Sequence, residues 1–178
     1  GTLMRYARQG VEVHVVTATR GERGTLGTGG LAISREELPA VREAELRAVL
    51  EVIGARPPIL LGYRDQELAQ ADTRLLANQV ASVMGTVRPD VVITFGPTGI
   101  SGHEDHIAIH EATVRAFRQY RAEAQAEPRL YVIALPKELV EELDLQLHEI
   151  ETTPTVLIDI SEYKSRKIAA LRMYRSQE

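Results

Sequence analysis

The sequence predicts an α/β fold in which a mostly parallel sheet carries helices on both faces of a single domain. Apolar runs of strand length alternate along the chain with segments of helical periodicity. This alternation is typical of parallel strands joined by helical crossovers. The chain has 178 residues, which fits one domain that buries roughly 70% of its unfolded surface.

The composition restricts the classes of function. A net charge of −4 and the lack of any Lys/Arg-rich tract argue against a nucleic-acid partner. Because the chain has no cysteine, a transition metal would need histidine and carboxylate ligands. No apolar run approaches the roughly 20 residues that span a bilayer, and no signal-peptide pattern is visible. We therefore expect a cytoplasmic protein without a membrane span, and composition leaves a homo-oligomer open.

The first third of the chain predicts two helices with a strand between them. Residues 1–10 have helical periodicity that stops at Gly10, and residues 11–17 form an apolar strand. After a Gly-rich stretch, Ser34-Arg-Glu-Glu37 is a capping box that opens a helix reaching about Ile53.

The rest of the chain continues the alternation of strands and helices. Asp72 is the N-cap of one helix, and another begins near His103 and runs to about Ala124. The remaining predicted elements are strands at 59–61, 90–95, 130–135, 146–150 and 155–158, a short helix from Pro136, and a last helix capped by Asp159 or Ser161.

The Gly-rich stretch also allows a nucleotide-binding hypothesis. The run Gly27-Thr-Gly29-Gly-Leu-Ala32 fits the G-x-G-x-x-G/A pattern. However, its first glycine comes about ten residues after the strand, whereas a dinucleotide-binding turn follows its strand at once. No Gly-Lys-Ser/Thr follows either. A flexible loop or lid is the favoured interpretation.

The most informative segment is the loop at residues 96–102 and the helix start after it. There His103 and His106 bracket Asp105, and a spacing of three puts both imidazoles on one helix face. A neutral imidazole is the commonest metal ligand, and a catalytic zinc site uses three protein ligands with an open position. This turn supplies one or two of them. We expect His110, one turn later, to face solvent.

Two histidines at a helix start could also be capping or surface residues. Their position favours a functional site instead, because a Gly-rich loop after a strand's C-terminal end is where open α/β sheets bind ligands. Three polar loops follow predicted strand ends in this way, at residues 19–24, 62–65 and 96–106. We therefore expect one pocket to hold two acids and two histidines, namely Glu22, Asp65, His103 and His106.

Four segments in the same order along the chain resemble the zinc-dependent deacetylases of the GlcNAc-phosphatidylinositol de-N-acetylase family, also called PIG-L or LmbE-like. They are Thr19-Arg-Gly-Glu22-Arg-Gly24, Arg42-Glu-Ala-Glu45, Leu61-Gly-Tyr-Arg-Asp65 and Gly102-His-Glu-Asp-His106. The Gly-His-x-Asp-His element is the specific one. The ending, from Lys164 to Arg175-Ser-Gln177, resembles the family's late helix.

The resemblance implies a Rossmann-like fold and a hydrolase that removes the N-acetyl group of a glucosamine-containing small molecule. The implied cofactor is Zn2+, although His and carboxylate ligands also suit Fe2+ or Mn2+. By resemblance, His106 is a metal ligand, and His103 stabilises the oxyanion or protonates the leaving amine. Asp105 orients His103.

The resemblance also assigns substrate-binding residues, which are Glu22, Arg42 and Asp65. Ser101 stands where some sugar deacetylases of this type have a tyrosine, which leaves room for a substrate that differs from theirs.

One element of the family is not among these residues. The His-Pro-Asp-Asp-Glu run, which supplies two metal ligands and the general base, is absent, and Gly1-Thr-Leu3 resembles the stretch that follows it. We expect residues 1–178 to be a deacetylase domain that lacks its N-terminal strand and first metal-ligand motif, both being present in the native protein. The alternative is a metal-free sugar- or nucleotide-binding domain of the same fold.

Overall fold

The structure, a computed structural model, describes residues 1–26 and 32–177. Most of the Gly-rich pattern at residues 27–32 therefore lies outside the described residues. The chain forms two compact units, Gly1–Asp65 with Ile158–Glu178, and Gln66–Leu157. Both contain parallel strands and helices, which confirms the mixed α/β character. The single domain and the single Rossmann-like sheet stay predictions.

Among its described residues, the first unit has three α-helices and one pair of parallel strands. In chain order they are α1 (Thr2–Arg8), β1 (Val16–Thr17), α2 (Leu38–Ile53), β2 (Ile59–Leu60) and α7 (Lys164–Leu171), with 3-10 turns at Ser161–Tyr163 and Arg175–Gln177. Val16 pairs with Ile59 and Thr17 with Leu60. The core of this unit is a cluster of Met4, Leu50 and Ile53.

The predicted capping box forms in the turn that leads into α2, whose first residue is Leu38. The main-chain amide of Ser34 donates to the Glu37 carboxylate at 2.8 Å, and the Glu37 amide donates to Ser34 Oγ at 3.2 Å. These reciprocal bonds satisfy amides that have no partner inside the helix. Near the end of α2, Leu50 and Ile53 are buried, while Val52 is 55% exposed.

The second unit also pairs two strands in parallel. Its elements are α3 (Thr73–Val87), β3 (Val91–Thr94), α4 (Glu104–Glu123), β4 (Arg129–Val132), α5 (Lys137–Glu142) and α6 (Glu149–Thr152), with a 3-10 turn at Leu68–Gln70. The register runs from Val91 against Arg129 to Thr94 against Val132. Strand β3 is less buried than its apolar sequence predicted, since Val91 and Ile93 are about half exposed.

Helices α3 and α4 pack against each other in this unit. As predicted, Asp72 caps α3, its carboxylate accepting from the amides of Arg74 at 2.8 Å and Leu75 at 3.2 Å. Helix α4 buries a row of small residues spaced four apart on one of its faces, namely Ala108, Ala112 and Ala116. The packing fixes the axis of α4, whose first turn carries the histidine motif.

The prediction of strands at residues 146–150 and 155–158 is wrong. A single helical turn, α6, occupies part of the first, and the second has no strand. His148 is the N-cap of α6, and the Glu151 side chain accepts from the His148 amide, which completes a capping box. These bonds give the main-chain amides at the start of α6 local partners, which in a strand would come from a neighbouring strand.

The described residues contain no helix with the length and apolar character of a membrane span.

Candidate functional site

The loop before α4 has an unusual backbone. Gly99, Ile100 and Gly102 have φ angles of +64°, +68° and +72°, in the left-handed region. A side chain at Gly99 would put its Cβ 2.7 Å from the Cβ of His106. Two features therefore require glycine at position 99, namely the left-handed backbone and the close approach of His106. The loop closes with a hydrogen bond from the Gly102 amide to the Thr98 carbonyl at 3.0 Å.

His106 is held by this loop in one tautomer. Its Nδ1 lies 3.1 Å from the carbonyl oxygen of Gly99, which can only accept, so Nδ1 carries the proton. In the neutral ring, Nε2 then has a free lone pair. The ring stacks on Phe95 with centroids 4.0 Å apart and planes within 7°. A metal-binding histidine commonly donates its other N–H to a main-chain carbonyl in this manner.

His103 has the opposite tautomer. It is the N-cap of α4, and its Nδ1 accepts from the main-chain amide of Asp105 at 3.2 Å. An amide can only donate, so Nδ1 is unprotonated and the proton of the neutral ring sits on Nε2. The rings of His103 and His106 stack, with centroids 4.7 Å apart. Two adjacent imidazoles thus offer one Nε2 lone pair and one Nε2–H.

The Asp105 carboxylate is buried, at 5% exposure, and accepts two main-chain bonds. The amide of Gln66 donates to it at 2.7 Å and that of Leu68 at 3.0 Å. A carboxylate oxygen of Asp105 and a ring nitrogen of His103 also lie within 4.8 Å of each other. The hydrogen bond between these residues, however, runs through the Asp105 amide. Asp105 therefore ties the start of α4 to the segment that follows Asp65 in the chain.

The structure corrects the expectation for His110. Its Nδ1 lies 2.7 Å from the carbonyl oxygen of Phe95 and the residue is only partly exposed, so it does not simply face solvent. The bond ties α4 to the residue just after strand β3. Ser101, by contrast, is exposed, and its amide donates to the Gly99 carbonyl at 2.8 Å.

In the first unit, Glu22 and Asp65 are brought together. The amide of Asp65 donates to the Glu22 carboxylate at 3.0 Å, and the amide of Arg23 donates to the Asp65 carboxylate at 3.0 Å. This reciprocal pair joins the loops after β1 and β2, as the convergence of parallel strand ends predicts. The structure thus joins the two acids in one unit and the two histidines in the other. Their common pocket stays a prediction.

Arg42, a residue of helix α2, anchors the loop after β1. Its guanidinium donates to the carbonyl oxygens of Gly21 at 2.6 Å and Thr25 at 3.3 Å. A Cβ at Gly24 would lie 2.3 Å from its Nη1, so a side chain there would displace the guanidinium. The Nε of Arg42 is buried without a hydrogen-bond partner.

The sequence did not indicate two further carboxylate contacts. Ser176 donates to the Glu45 carboxylate from its amide at 2.9 Å and from its hydroxyl at 2.5 Å. These bonds connect the Arg42-Glu-Ala-Glu45 segment with the end of the chain, the two of which resemble separate segments of the family. Burial, with Glu45 nearby, raises the pKa of Tyr174. The other is Glu151, which is fully buried and accepts from Thr98 in the loop before α4. Neither contact has a local sequence signal, because the partners are distant along the chain.

The donor set fits a divalent metal ion. The Nε2 lone pair of His106 is kept free by the Gly99 carbonyl, and imidazole nitrogen suits zinc, iron and manganese. No cysteine competes for a softer metal. One imidazole nitrogen does not complete a metal site, so further ligands would be needed.

Comparison with known proteins supports one family. A family model described as GlcNAc-PI de-N-acetylase (PIG-L) matches residues 1–117. The chain is 33% identical to the 1D-myo-inositol 2-acetamido-2-deoxy-alpha-D-glucopyranoside deacetylase of Thermobifida fusca, over 90% of this chain and 66% of that protein. It is 30% identical to the "Probable N-acetyl-alpha-D-glucosaminyl L-malate deacetylase 2" of Bacillus cereus, over 99% of this chain and 76% of that protein.

The fold has a solved counterpart. The conserved protein TT1542 of Thermus thermophilus matches with a TM-score of 0.70 and 26% identity, over 99% of this chain and 71% of that structure. The matched residues 1–117 include the stacked histidines and the loop that holds them. The chain therefore belongs to the GlcNAc-PI de-N-acetylase family.

Proposed function

We propose that this protein is a metal-dependent hydrolase that removes an N-acyl group, in the first place acetyl, from a glucosamine-containing small molecule. The observation that carries the proposal is the pair of opposite tautomers in the stacked rings of His106 and His103. Metal-dependent amide hydrolysis uses both a ligand for the metal and a hydrogen-bond donor to the oxyanion, and these two rings would supply one of each.

The reaction adds water across the amide bond. A bound divalent metal supplies Lewis-acid activation of the water and of the amide carbonyl. His106 would hold that metal through Nε2. His103 would donate its Nε2–H as a hydrogen bond to the oxyanion that develops on the carbonyl oxygen, and the proton that the general base takes from the attacking water would pass to the departing amine nitrogen. The carbon–nitrogen bond breaks, and acetate and a free glucosamine amine leave.

The remaining roles follow from the family resemblance. Asp105 would position His103 by fixing the first turn of α4, where its amide binds the ring. We assign the sugar-binding roles to Glu22, Arg42, Asp65 and Ser101. Further metal ligands and the general base would come from a His-Pro-Asp-Asp-Glu run before Gly1, and zinc is the first metal to test, with iron and manganese next.

The substrate class follows from what the relatives have in common. One is named for an inositol glycoside and the other for a malate glycoside, and both names contain N-acetylglucosamine. The acetylated amino sugar is therefore the constant part of the proposed substrate, and the aglycone is the part to be determined. We infer a Rossmann-like arrangement of the complete protein on the same grounds.

The test uses the protein extended upstream of Gly1. We expect about one divalent metal ion per chain by elemental analysis, and acetate release from N-acetylglucosaminyl inositol or N-acetylglucosaminyl malate. His106→Ala should lose both the metal and the activity. His14→Ala is the matched control, because that imidazole is hydrogen-bonded to Glu12, at 2.7 Å, in a segment that precedes the loop at residues 19–24.

Two results would count against the proposal. A wild-type protein that binds no divalent metal and releases no acetate would favour the metal-free binding domain instead. A His106→Ala protein that keeps both metal and activity would remove this histidine from the site.

A further inference from the structure

A buried carboxylate lies beside the loop that precedes the histidine motif. Glu151, in α6, has 0% exposure. Its Oε2 accepts three hydrogen bonds, from Thr98 Oγ1 at 2.7 Å, from the Thr98 amide at 3.3 Å and from the His148 amide at 3.1 Å. Its Oε1 is buried without a hydrogen-bond partner. Burial of a carboxylate costs free energy unless hydrogen bonds offset it, so the partners of Glu151 indicate its role.

The loop is shaped to accept this side chain. A Cβ built at Gly96 would lie 2.2 Å from the Cγ and 2.3 Å from the Cδ of Glu151. Any side chain at Gly96 would therefore displace the carboxylate or the loop. Contact with Gly96 and hydrogen bonds to Thr98 fix the first half of the loop from one side.

Thr98 connects the carboxylate to the histidines through the loop backbone. The Thr98 carbonyl accepts from the Gly102 amide at 3.0 Å, which closes the turn that contains Gly99. The Gly99 carbonyl then accepts from His106 Nδ1 at 3.1 Å. The bond that selects the His106 tautomer thus depends on a turn whose first residue Glu151 holds with two hydrogen bonds.

We propose that Glu151 is a positioning residue for His106, which acts through Thr98 and the Gly99 carbonyl to keep the Nε2 lone pair of the imidazole available. It touches neither substrate nor metal. The inference rests on the proposed function only for the identity of the ligand that Nε2 would bind. The arrangement of the ring itself can be measured without that ligand.

The first measurement is the tautomer of His106 in the metal-free, full-length protein. Long-range proton–nitrogen correlation spectra report which ring nitrogen is protonated. We expect Nδ1–H in the wild type and a mixture of tautomers in Glu151→Ala. Thr98→Val keeps the side-chain shape but removes the hydroxyl that donates to Glu151, and it should shift the ring signals in the same direction by a smaller amount.

The second measurement is zinc affinity by competition with a chelator. Loss of a residue that orients a metal-binding histidine typically weakens affinity about 10–100-fold, and we expect that loss for Glu151→Ala. Glu151→Gln keeps one acceptor oxygen for Thr98 and should stay closer to the wild type. Glu149→Ala is the matched control, because Glu149 is an exposed acid in the same short helix.

A purely structural role predicts a different pattern. In that case Glu151→Ala and Thr98→Val would both lower the melting temperature while the His106 nitrogen signals stayed as in the wild type, and the inference would be overturned. Should Glu151→Ala fail to fold, Thr98→Val alone decides the matter by the same spectra. If the wild type binds no zinc but Thr98→Val still shifts the His106 signals, the proposed function fails and the positioning role stands.

Discussion

The carbonyl oxygen of Gly99 accepts the Nδ1 proton of His106 at 3.1 Å, across seven residues of chain. This bond selects the tautomer of the neutral imidazole, because Nδ1 must carry the proton and Nε2 then keeps its lone pair. It also makes a main-chain atom of a loop part of the site. Substitutions in the loop can therefore change the site without touching a histidine.

Gly99→Ala tests the loop directly. The left-handed backbone at Gly99 disfavours alanine by about 1–2 kcal/mol, and the new Cβ would lie 2.7 Å from the His106 Cβ. We expect a lower free energy of unfolding in urea and a changed His106 tautomer. Gly85→Ala is the control, since Gly85 lies in α3 with open space around it, and it should gain roughly 0.5–1 kcal/mol. Equal stability of Gly99→Ala and the wild type would contradict the prediction.

Asp105→Asn tests the buried carboxylate at the start of α4. An asparagine side chain has one acceptor oxygen, so its amide nitrogen would face the Gln66 or the Leu68 amide, and one buried donor would be left unpaired. We expect a loss of about 1–3 kcal/mol in the free energy of unfolding. Glu111→Gln, at an exposed position of the same helix, should stay within about 0.5 kcal/mol of the wild type. Matching losses in the two variants would argue against a special role for Asp105.

Arg42→Lys tests the attachment of the loop after β1. The guanidinium spans the carbonyls of Gly21 and Thr25, which a single ammonium group cannot do in the same geometry. We expect faster trypsin cleavage within residues 19–26. The control is Arg47→Lys, on an exposed part of the same helix, where the partner is Glu43 at 2.7 Å. Unchanged cleavage in Arg42→Lys would show that the loop is held by other contacts.

Asp72 gives a prediction for pH dependence. Hydrogen bonds from the amides of Leu75 and Arg74 lower the pKa of Asp72 below its ordinary value of 3.8. The folded pKa is thus below the unfolded one, so the stabilisation is complete above about pH 3.8 and is lost as the pH falls through the lowered value. We expect the melting temperature of Asp72→Asn to depend less steeply on pH than that of the wild type in this acidic range. Identical slopes would contradict the assignment.

The sequence indicated the features that depend on local chemistry. The cap at Asp72, the capping box of Ser34 and Glu37, and the start of α4 at His103 are each set within one helical turn, and the structure has them. The histidine pair could be recognised for the same reason, because spacing alone puts the two rings on one face. Parallel pairing followed from the alternation of elements.

Features that depend on distant partners were missed. The strand expected at residues 146–150 is replaced by a helical turn, because the Glu151 side chain bonds back to the N-cap residue His148. The burial of Glu151 beside the exposed Glu149 depends on Thr98, which is distant along the chain. His110 was misjudged for a similar reason, because its partner is the carbonyl of Phe95, fifteen residues away.

The left-handed residues before α4 have a consequence for ligand binding. Gly99, Ile100 and Gly102 all lie in the left-handed region, which glycine adopts readily but which costs a β-branched residue such as Ile100 about 1–3 kcal/mol. This conformational free energy is spent when the chain folds, before any ligand binds. An incoming ligand then encounters a backbone whose conformational freedom has already been given up, so little of its binding energy is consumed in rigidifying the loop.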